Sequence, residues 1–367
     1  MCTYNGALHL QAQLSSIAAQ TRLPDELVIC DDQSSDETIT IIERFANDAP
    51  FPVRLHINEK NLGSTKNFEK AISLCGGDII ALADQDDVWY RDKLMQTEAL
   101  FTSEPAIGVV FTDAEVVDEN LGLLGYRLWE CHGFSNLEQQ MFAEGKAFDL
   151  LLMRNIVTGA TMAFRAKFKQ LILPIPVNVE PSKYIRLIHD GWIALMISAV
   201  ADIAFIHEPL MMYRQHAGQQ LGGKLRPMLP TRQIPEPLPT PQPGKPFNKR
   251  IGERLKSMNK VHTDEFLIEF QPFAPIHERL SINDRYFRCN QTSSRLTRKT
   301  KHLKARALMP SQGRFSRVPF VLKELLSLRY HTYSNGLFSA VKDILIARKE
   351  PVRENVSDNA RCSAPTH

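Results

Sequence analysis

Short apolar runs alternate with segments of helical period over the first 114 residues of the chain. Residues 27–30 and 108–111 are apolar throughout, residues 78–83 are apolar after the first position, and residues 53–57 alternate apolar with polar positions. Between these runs, apolar residues recur every three or four positions, as on the core-facing sides of helices: Leu10, Leu14 and Ile17; Ile42, Phe45 and Ala46; Phe68, Ile72 and Cys75. The alternation predicts an α/β fold with a mixed, mostly parallel sheet flanked by helices.

The pattern is less regular in the middle of the chain. Residues 157–163 predict one more strand, and residues 192–200 predict a helix. Two short strands are predicted after it, at 203–206 and 210–213. The apolar content of these segments extends the α/β domain to about residue 222.

A change of composition marks the end of this domain. Residues 227–246 contain eight prolines, which interrupt helices and sheets and favour an extended linker. We therefore predict a catalytic domain at 1–222, a proline-rich linker at 223–248, a helical, basic region at 249–348 and a disordered tail at 349–367. Two amphipathic helices are expected in the basic region from the spacing of its apolar residues: Leu322, Leu325 and Leu326; Leu337, Val341, Ile344 and Leu345.

Composition excludes several classes of protein. The 367 residues contain no apolar run of the roughly 18 residues that a membrane-spanning helix needs, and the first 20 lack the features of a secretory signal, so we expect a cytoplasmic protein. The six cysteines include no CxxC pair, which argues against a zinc site and against a redox dithiol. The net charge of +3 is unevenly distributed, because residues 285–317 hold ten Lys or Arg and no Asp or Glu. This segment should favour an anionic surface.

A first acidic cluster follows the strand at 27–30 and leads directly into a helix. In a capping box, Ser34 and Glu37 would both contact backbone N–H groups at the start of that helix, so part of the cluster has a structural explanation. Neither Asp31 nor Asp32 has such a structural explanation. Because open α/β sheets bind ligands at the carboxyl ends of their strands, either carboxylate is placed to accept a hydrogen bond from a base or a ribose.

A second acidic cluster, Asp84-Gln85-Asp86-Asp87, ends the strand at 78–83. Three carboxylates so close together repel one another, and a cation would neutralise them. Oxygen ligands of this kind suit Mg²⁺ or Mn²⁺ shared with substrate phosphates. An isolated acidic turn is more often only a surface feature, but the buried strand before it and the acidic pair upstream favour a ligand site.

Several motifs together resemble the family 2 inverting glycosyltransferases of GT-A (Rossmann-like) fold, most of all the rhamnosyltransferase-type members that build bacterial surface polysaccharides. The resemblance covers about residues 1–220, and it depends on the order and spacing of the pieces rather than on any single one. The motifs are Thr3-Tyr4-Asn5-Gly6, Gln20-Thr21, Asp25 to Asp32, Asn61-Leu62-Gly63, Lys66-Asn67-Phe68 and Asp84 to Trp89.

The resemblance implies a role for each matched residue. Thr3 and Tyr4 would line the base pocket, Asp32 would accept from the pyrimidine N–H with Asp31 beside it, and Asp84 would lie near the ribose. Asp86 would hold a divalent metal, Mg²⁺ or Mn²⁺, on the diphosphate. The remaining residues that the resemblance implies for donor binding are Asn5, Asn61, Gly63, Lys66 and Gln85.

The acceptor side is predicted from His189-Asp190-Gly191-Trp192, which is similar to the stretch where the family carries its base. Asp190 would deprotonate the acceptor hydroxyl, although it would also serve as a plain N-cap of the helix predicted from residue 192. Further residues expected to contact the acceptor are Asp113, Gly159 and Trp192. Capping of a turn explains Asp113 equally well, and close backbone packing is an alternative explanation of Gly159. Arg214 would contact the diphosphate, and His216 would ligate the metal or touch the diphosphate, because Tyr213-Arg214-Gln215-His216 resembles the family's donor-closing segment.

The expected function is therefore transfer of a sugar, rhamnose from dTDP-rhamnose, to a saccharide or lipid-linked acceptor in surface polysaccharide synthesis. A non-catalytic sugar-nucleotide-binding remnant is the alternative, while a nucleotidyltransferase would need a glycine-rich phosphate loop that the sequence lacks. The basic region predicts peripheral docking on the inner face of the plasma membrane rather than nucleic-acid binding, for which too few aromatic residues are interleaved. A solvated helical face is the simpler explanation of the same residues.

The first residues, MCTYNG, match a loop that follows a central strand in the family. We therefore expect either that the natural chain begins further upstream or that this is a truncated copy, and that six to eight additional upstream residues, a typical strand length, would increase stability and activity.

Overall fold

The computed structural model describes residues 1–152, 154–177, 188–219 and 314–326, together with isolated helical positions between 276 and 344. The chain divides into two compact units. The first comprises Met1–Pro243 and Ile268–Arg298, and the second comprises Gly244–Leu267 and Lys299–His367. The predicted linker, the tail and most of the basic run lie outside the described residues. The domain boundaries predicted from composition accordingly stay predictions.

Strands and helices alternate through the first unit, as the sequence predicts. Its strands are β1 (Cys2–Thr3), β2 (Leu27–Asp31), β3 (Val53–Ile57), β4 (Ile79–Ala81), β5 (Val88–Trp89), β6 (Ile107–Val117), β7 (Leu123–Arg127), β8 (Met162–Arg165) and β9 (Asp202–Arg214). Its helices are α1 (Ala7–Ala18), α2 (Thr38–Asp48), α3 (Ser64–Leu74), α4 (Lys93–Ser103), α5 (Leu128–His132), α6 (Asn136–Ala143), α7 (Ala147–Leu151), α8 (Lys169–Ile172) and α9 (His189–Ser198). In the second unit, the structure describes α10 (Arg314–Leu326).

The strands form two sheets that meet at β1. Strands β1, β2 and β3 are parallel, with Cys2 opposite Cys30 and Leu27 opposite Val53. On its other side, β1 approaches the end of β4, because the Cys2 N–H donates to Ala83 O at 3.4 Å. The loops that follow β1, β2 and β4 are thereby brought to one edge.

The second sheet is built around β6. This strand pairs with β9 in parallel and with β8 and β7 antiparallel, while β4 pairs antiparallel with β8 and β5 with β9. The predicted α/β fold with a mixed sheet and flanking helices is confirmed. Antiparallel pairing is nevertheless more extensive than the sequence predicted, since apolar periodicity carries no information on strand direction.

Two local predictions in the middle of the chain are corrected by the structure. The two strands expected at 203–206 and 210–213 are one strand, β9, whose register against β6 shifts between Thr112 and Asp113. The strand expected at 157–163 begins only at Met162, because a 3-10 turn, Gly159–Thr161, precedes it. This turn borders the site described below.

The core lies against both faces of the joined sheets. The apolar stripe of α1 packs with Ile29 of β2 and Ile42 of α2, as the helical spacing predicted. On the other sheet, α9 crosses β6 at Gly108, where a Cβ would lie 2.5 Å from Ile197 Cγ2 and 2.7 Å from Ala201 Cβ. Only a residue without a side chain fits between this helix and strand.

Gly108→Ala should therefore destabilise the protein. The added methyl group has no space, and overpacking of a core costs about 1–3 kcal/mol, so the midpoint of denaturant unfolding should fall. The matched control is Gly76→Ala, where the nearest atom to the new Cβ is 3.5 Å away and the cost should be small. Equal stability of the two variants would contradict the close approach of α9 to β6.

Candidate active site

A cleft of about 560 Å³ opens at the edge where the strand-end loops converge. It is bounded by the loop after β1, the ends of β2 and β4, the 3-10 turn, the start of α9 and the end of β9. The predicted site residues that line it are Thr3, Tyr4, Asn5, Asp32, Asp84, Gln85, Asp86, Gly159, Asp190 and His216. Residues from both expected sides, donor and acceptor, thus face one space.

Asp32 is held in the cleft wall by the loop after β3. Its carboxylate accepts from the N–H groups of Leu62 at 2.7 Å and Gly63 at 2.8 Å, and from Asn58 Nδ2 at 2.8 Å. The Asn61 side chain donates to the Asp32 carbonyl at 3.1 Å. The predicted residues Asn61 and Gly63 thus contact Asp32, and they are not among the residues that line the cleft.

Asp31 is turned away from the cleft and is completely buried. Its carboxylate accepts from the Thr3 hydroxyl at 2.7 Å and from the Ser34 hydroxyl at 2.6 Å. These contacts connect β1 to the loop after β2. The predicted capping box of Ser34 and Glu37 is wrong, because α2 begins at Thr38 and Ser34 is bound to Asp31 instead.

Gln85 holds the loop after β1 by two hydrogen bonds. Its Oε1 accepts from the Tyr4 N–H at 2.8 Å, and its Nε2 donates to Tyr4 O at 3.0 Å. A Cβ on Gly6 would lie 2.3 Å from Gln85 Oε1, so the loop and the amide fit closely. Tyr4 itself is 41% exposed and its ring is available at the mouth of the cleft.

The acidic turn, Asp84–Asp87, concentrates negative charge at the floor of the cleft. Burial, together with Asp86 and Asp190, raises the pKa of Asp84 to about 7. Burial and the other two carboxylates of the turn also raise the pKa of Asp87, whose Oδ2 has no hydrogen-bond partner among the described residues. Such crowding is what a bound cation would relieve.

His216 faces Asp86 across the cleft. Its Nε2 lies 2.9 Å from Asp86 Oδ2, and its ring packs on that of His9 with centroids 4.7 Å apart. Among the described residues, no group of three or more His, Cys, Asp or Glu forms a complete metal cage. An imidazole and a carboxylate at this distance nevertheless fit a divalent ion that takes its other ligands from a diphosphate and water.

Arg214 fastens the end of β9 to the acidic turn instead of lining the cleft. Its backbone N–H donates to Asp87 Oδ1 at 3.0 Å, and its Nε donates to Asp86 O at 2.6 Å. The guanidinium also donates to Glu119 O. These contacts hold the acidic turn in place, and a bound diphosphate would have to break them to contact the guanidinium.

Asp190 lies on the opposite wall from the acidic turn. Its Oδ2 accepts from the Gly159 N–H at 3.2 Å and its Oδ1 from Asn155 Nδ2 at 3.3 Å. The N-cap explanation is wrong, because α9 begins at His189 and Asp190 lies in its first turn. His189 stacks on Phe68 at 4.1 Å between centroids, and burial lowers the pKa of its imidazole.

Three other predicted residues lie away from the cleft. Lys66 pairs with Glu69 at 2.6 Å and lines a separate surface cavity. Asp113 is buried and accepts from the N–H groups of Ala114 and Trp129. Trp192 is also buried, and its Nε1 donates to Ile172 O at 2.7 Å. The contacts of all three residues explain their presence in the fold without a role in the cleft.

Among the residues around the cleft that were not predicted from the sequence are His9, Tyr213 and Lys93. His9 and Tyr213 line it, and Lys93 is buried near the acidic turn. Burial lowers the pKa of Lys93 to about 7 against the opposing effect of Asp87 and Asp84. No sequence pattern distinguishes a buried lysine from the many exposed ones. Tyr213, by contrast, is next to Arg214 and close to His216 in the sequence, and this position could have identified it as a residue of the site.

Comparison with known proteins agrees with this geometry. Residues 1–171 match the sequence model of the family Glycosyl transferase family 2. The dTDP-rhamnosyl transferase RfbG of Shigella flexneri is 27% identical over 235 residues, which cover 61% of this chain and 74% of RfbG. An uncharacterized glycosyltransferase of Nostoc sp. is 26% identical over 58% of this chain and 62% of its own length. This chain thus spans less than two thirds of the Nostoc protein.

One solved structure shares the fold. The crystal structure of S. aureus TarS 1-349 in complex with UDP-GlcNAc has a TM-score of 0.50 and 16% identity, covering 94% of this chain and 80% of TarS. The cleft lies at the strand ends of an α/β fold, and residues 1–171 match the sequence model of Glycosyl transferase family 2. The GT-A fold predicted from the resemblance is confirmed.

The contribution of His189 to stability should be lost between pH 7 and pH 5. Burial lowers the pKa of His189 below its ordinary value of 6.5, so the unfolded chain takes up this proton first and folding loses free energy as the pH drops through 6.5 toward the lowered pKa. His132 acts in the same direction. Each histidine contributes at most about 1.4 kcal/mol per pH unit. Urea unfolding of His189→Gln should show a smaller pH slope than the wild type.

The exposed His207 provides the control for this measurement. His207→Gln should leave the slope of stability against pH as in the wild type. A slope that is unchanged in His189→Gln as well would show that the buried ring does not set the acid sensitivity.

Proposed function

We propose that this protein is an inverting glycosyltransferase that moves a sugar from a nucleotide-diphosphate donor to a hydroxyl of a saccharide or lipid-linked acceptor. The observation that carries the proposal is the convergence of Asp32, Asp86 and Asp190 on one cleft. These residues come from three distant parts of the chain, and each has a distinct chemical use. The match of residues 1–171 to the family 2 model supports the same activity.

Recognition of the nucleotide is assigned to the loops after β1 and β2. Asp32 already accepts three hydrogen bonds, and a carboxylate has about four acceptor positions, so one position is left for a base N–H. Tyr4 offers an exposed ring at the mouth, and Gln85 fixes its backbone. A pyrimidine base could thus stack on Tyr4 while it donates to Asp32.

Asp86 and His216 would hold the divalent ion, Mg²⁺ or Mn²⁺, on the donor diphosphate. When bound, the ion stabilises the negative charge that develops on the leaving nucleotide diphosphate. The protein's own contribution is to hold the two ligands together: Arg214 fixes the backbone of Asp86, and His9 supports the ring of His216.

Asp190 is the proposed base. It lies at the start of α9, and the N–H of Gly159 and the amide of Asn155 orient its carboxylate. Deprotonation of the acceptor hydroxyl allows this oxygen to attack the anomeric carbon from the side opposite the leaving group, which inverts the configuration. The close contact between Gly159 and the ring of His189 leaves the turn little freedom.

The donor is proposed to be dTDP-rhamnose and the pathway that of a bacterial surface polysaccharide. The support is the similarity to RfbG, which is named a dTDP-rhamnosyl transferase. We propose a cytoplasmic location with peripheral docking on the inner face of the plasma membrane. The structure describes no helix that is long and apolar enough to span a bilayer.

One feature of the second unit supports membrane docking. Helix α10 exposes Leu322 and Leu326, which are four positions apart and so lie on one side of the helix, and Lys323 is next to Leu322 along the chain. Apolar and basic side chains together bind an anionic interface.

Catalysis by Asp190 and a metal can be tested by measuring donor hydrolysis and transfer. Asp190→Asn should lower kcat by about 10² to 10⁴, the usual contribution of general base catalysis, while nucleotide affinity stays close to that of the wild type. EDTA or Asp86→Ala should also abolish turnover. Asp25→Asn at the surface is the control.

The alternatives predict different results in the same assay. A non-catalytic remnant would bind the nucleotide but show no turnover in the intact chain. A nucleotidyltransferase would release pyrophosphate from a nucleoside triphosphate instead of a nucleoside diphosphate from the sugar donor.

Membrane docking should appear as co-flotation of the full chain with anionic phospholipid vesicles. We expect binding to be lost with zwitterionic vesicles and in about 1 M salt, because the Debye length falls to about 3 Å there. Flotation that is independent of lipid charge would contradict the role of the basic region.

A further inference from the structure

Lys93 is a buried cation that the proposed mechanism does not use. It is the first residue of α4 and is only 2% exposed. Lysine is rarely buried this completely, because removal of its charge from water is costly. We therefore expect the contacts of Lys93 to offset this cost.

The ammonium of Lys93 connects three segments around the cleft. Its Nζ donates to Ala160 O in the 3-10 turn at 2.8 Å and lies 3.2 Å from Met211 Sδ of β9. It also lies 4.8 Å from the centre of the Trp89 ring in β5, a cation–π contact. None of these contacts within the described part of the chain is to a carboxylate.

On the acceptor side, the bond to Ala160 leads directly to Asp190. Gly159 and Ala160 are neighbours in the same 3-10 turn, and the Gly159 N–H donates to Asp190 Oδ2 at 3.2 Å. The turn also abuts the ring of His189, because a Cβ on Gly159 would lie 2.9 Å from His189 Nε2. Movement of the Ala160 carbonyl would therefore move a hydrogen-bond donor to Asp190.

On the donor side, Lys93 is close to the acidic turn. The negative charges of Asp87 and Asp84 favour its charged form and partly offset its burial. Asp87 is itself buried, and its Oδ2 has no hydrogen-bond partner among the described residues. The same lysine is thus near the acidic turn and bonded to the turn that holds Asp190.

We propose that Lys93 is a positioning residue that sets the placement of Asp190 relative to the acidic turn. Its bond to Ala160 holds the turn that carries the Gly159 N–H. The inference rests on the proposed function, because it is that function which makes Asp190 the base.

The test compares Lys93→Met with the wild type. Methionine keeps much of the length and the apolar stem of lysine but cannot donate to Ala160 O. With Asp190 held less well, kcat should fall about 10- to 100-fold while KM for the donor changes less than about threefold, since the lost interaction affects the transition state. The control is Lys60→Met, a fully solvated lysine, which should leave both constants unchanged.

Amide hydrogen exchange provides a readout that needs no turnover. In Lys93→Met, exchange in the segment 158–162 should become at least about tenfold faster, because its opening reflects local stability. Unchanged exchange in this segment would overturn the proposal even if the wild type proves inactive. Absence of wild-type turnover with normal nucleotide binding would instead reject the proposed function, so the two failures can be distinguished.

Discussion

Crowding of negative charge in the acidic turn is the constraint on which the rest of the site depends. Three carboxylates in four residues would repel one another and open the turn if it were not held from every side. Arg214 fastens it through the backbone of Asp86 and the side chain of Asp87, Gln85 ties it to the loop after β1, and the positive charge of Lys93 is nearby. The acidic turn is therefore held in one position, and its negative charges stay together where a ligand can bind them.

The two walls of the cleft have different origins in the fold. The donor wall belongs to the small parallel sheet, in which the loop after β3 holds Asp32 and the side chain of Asp31 joins β1 to the loop after β2. The acceptor wall belongs to α9 and the 3-10 turn, which pack on the second sheet. Strand β1 joins these two parts, so the proposed sites of nucleotide recognition and proton transfer are brought together by the meeting of the sheets.

Strand-end acids were the predictable part of the site. Asp32 and Asp86 follow apolar runs, and parallel strands end at one edge, so their convergence can be inferred from the sequence. The orientation of a loop residue cannot be inferred in this way, which is why Lys66 and Trp192 turned out to lie away from the cleft. Strand direction in the second sheet and the burial of Lys93 likewise depend on tertiary packing, for which the sequence offers no periodic signal.

The contact of α9 with β6 at Gly108 has a consequence for how such a protein can diversify. Asp190 is carried by a helix that is seated directly on the central strand, and its position is set by the scaffold. The short helices α5, α6 and α7 lie between β7 and the 3-10 turn along the chain. Exchange of residues in these helices would change the surroundings of the acceptor side while Asp190, the proposed base, stays in place, so that new linkages evolve without rebuilding the proposed catalytic geometry.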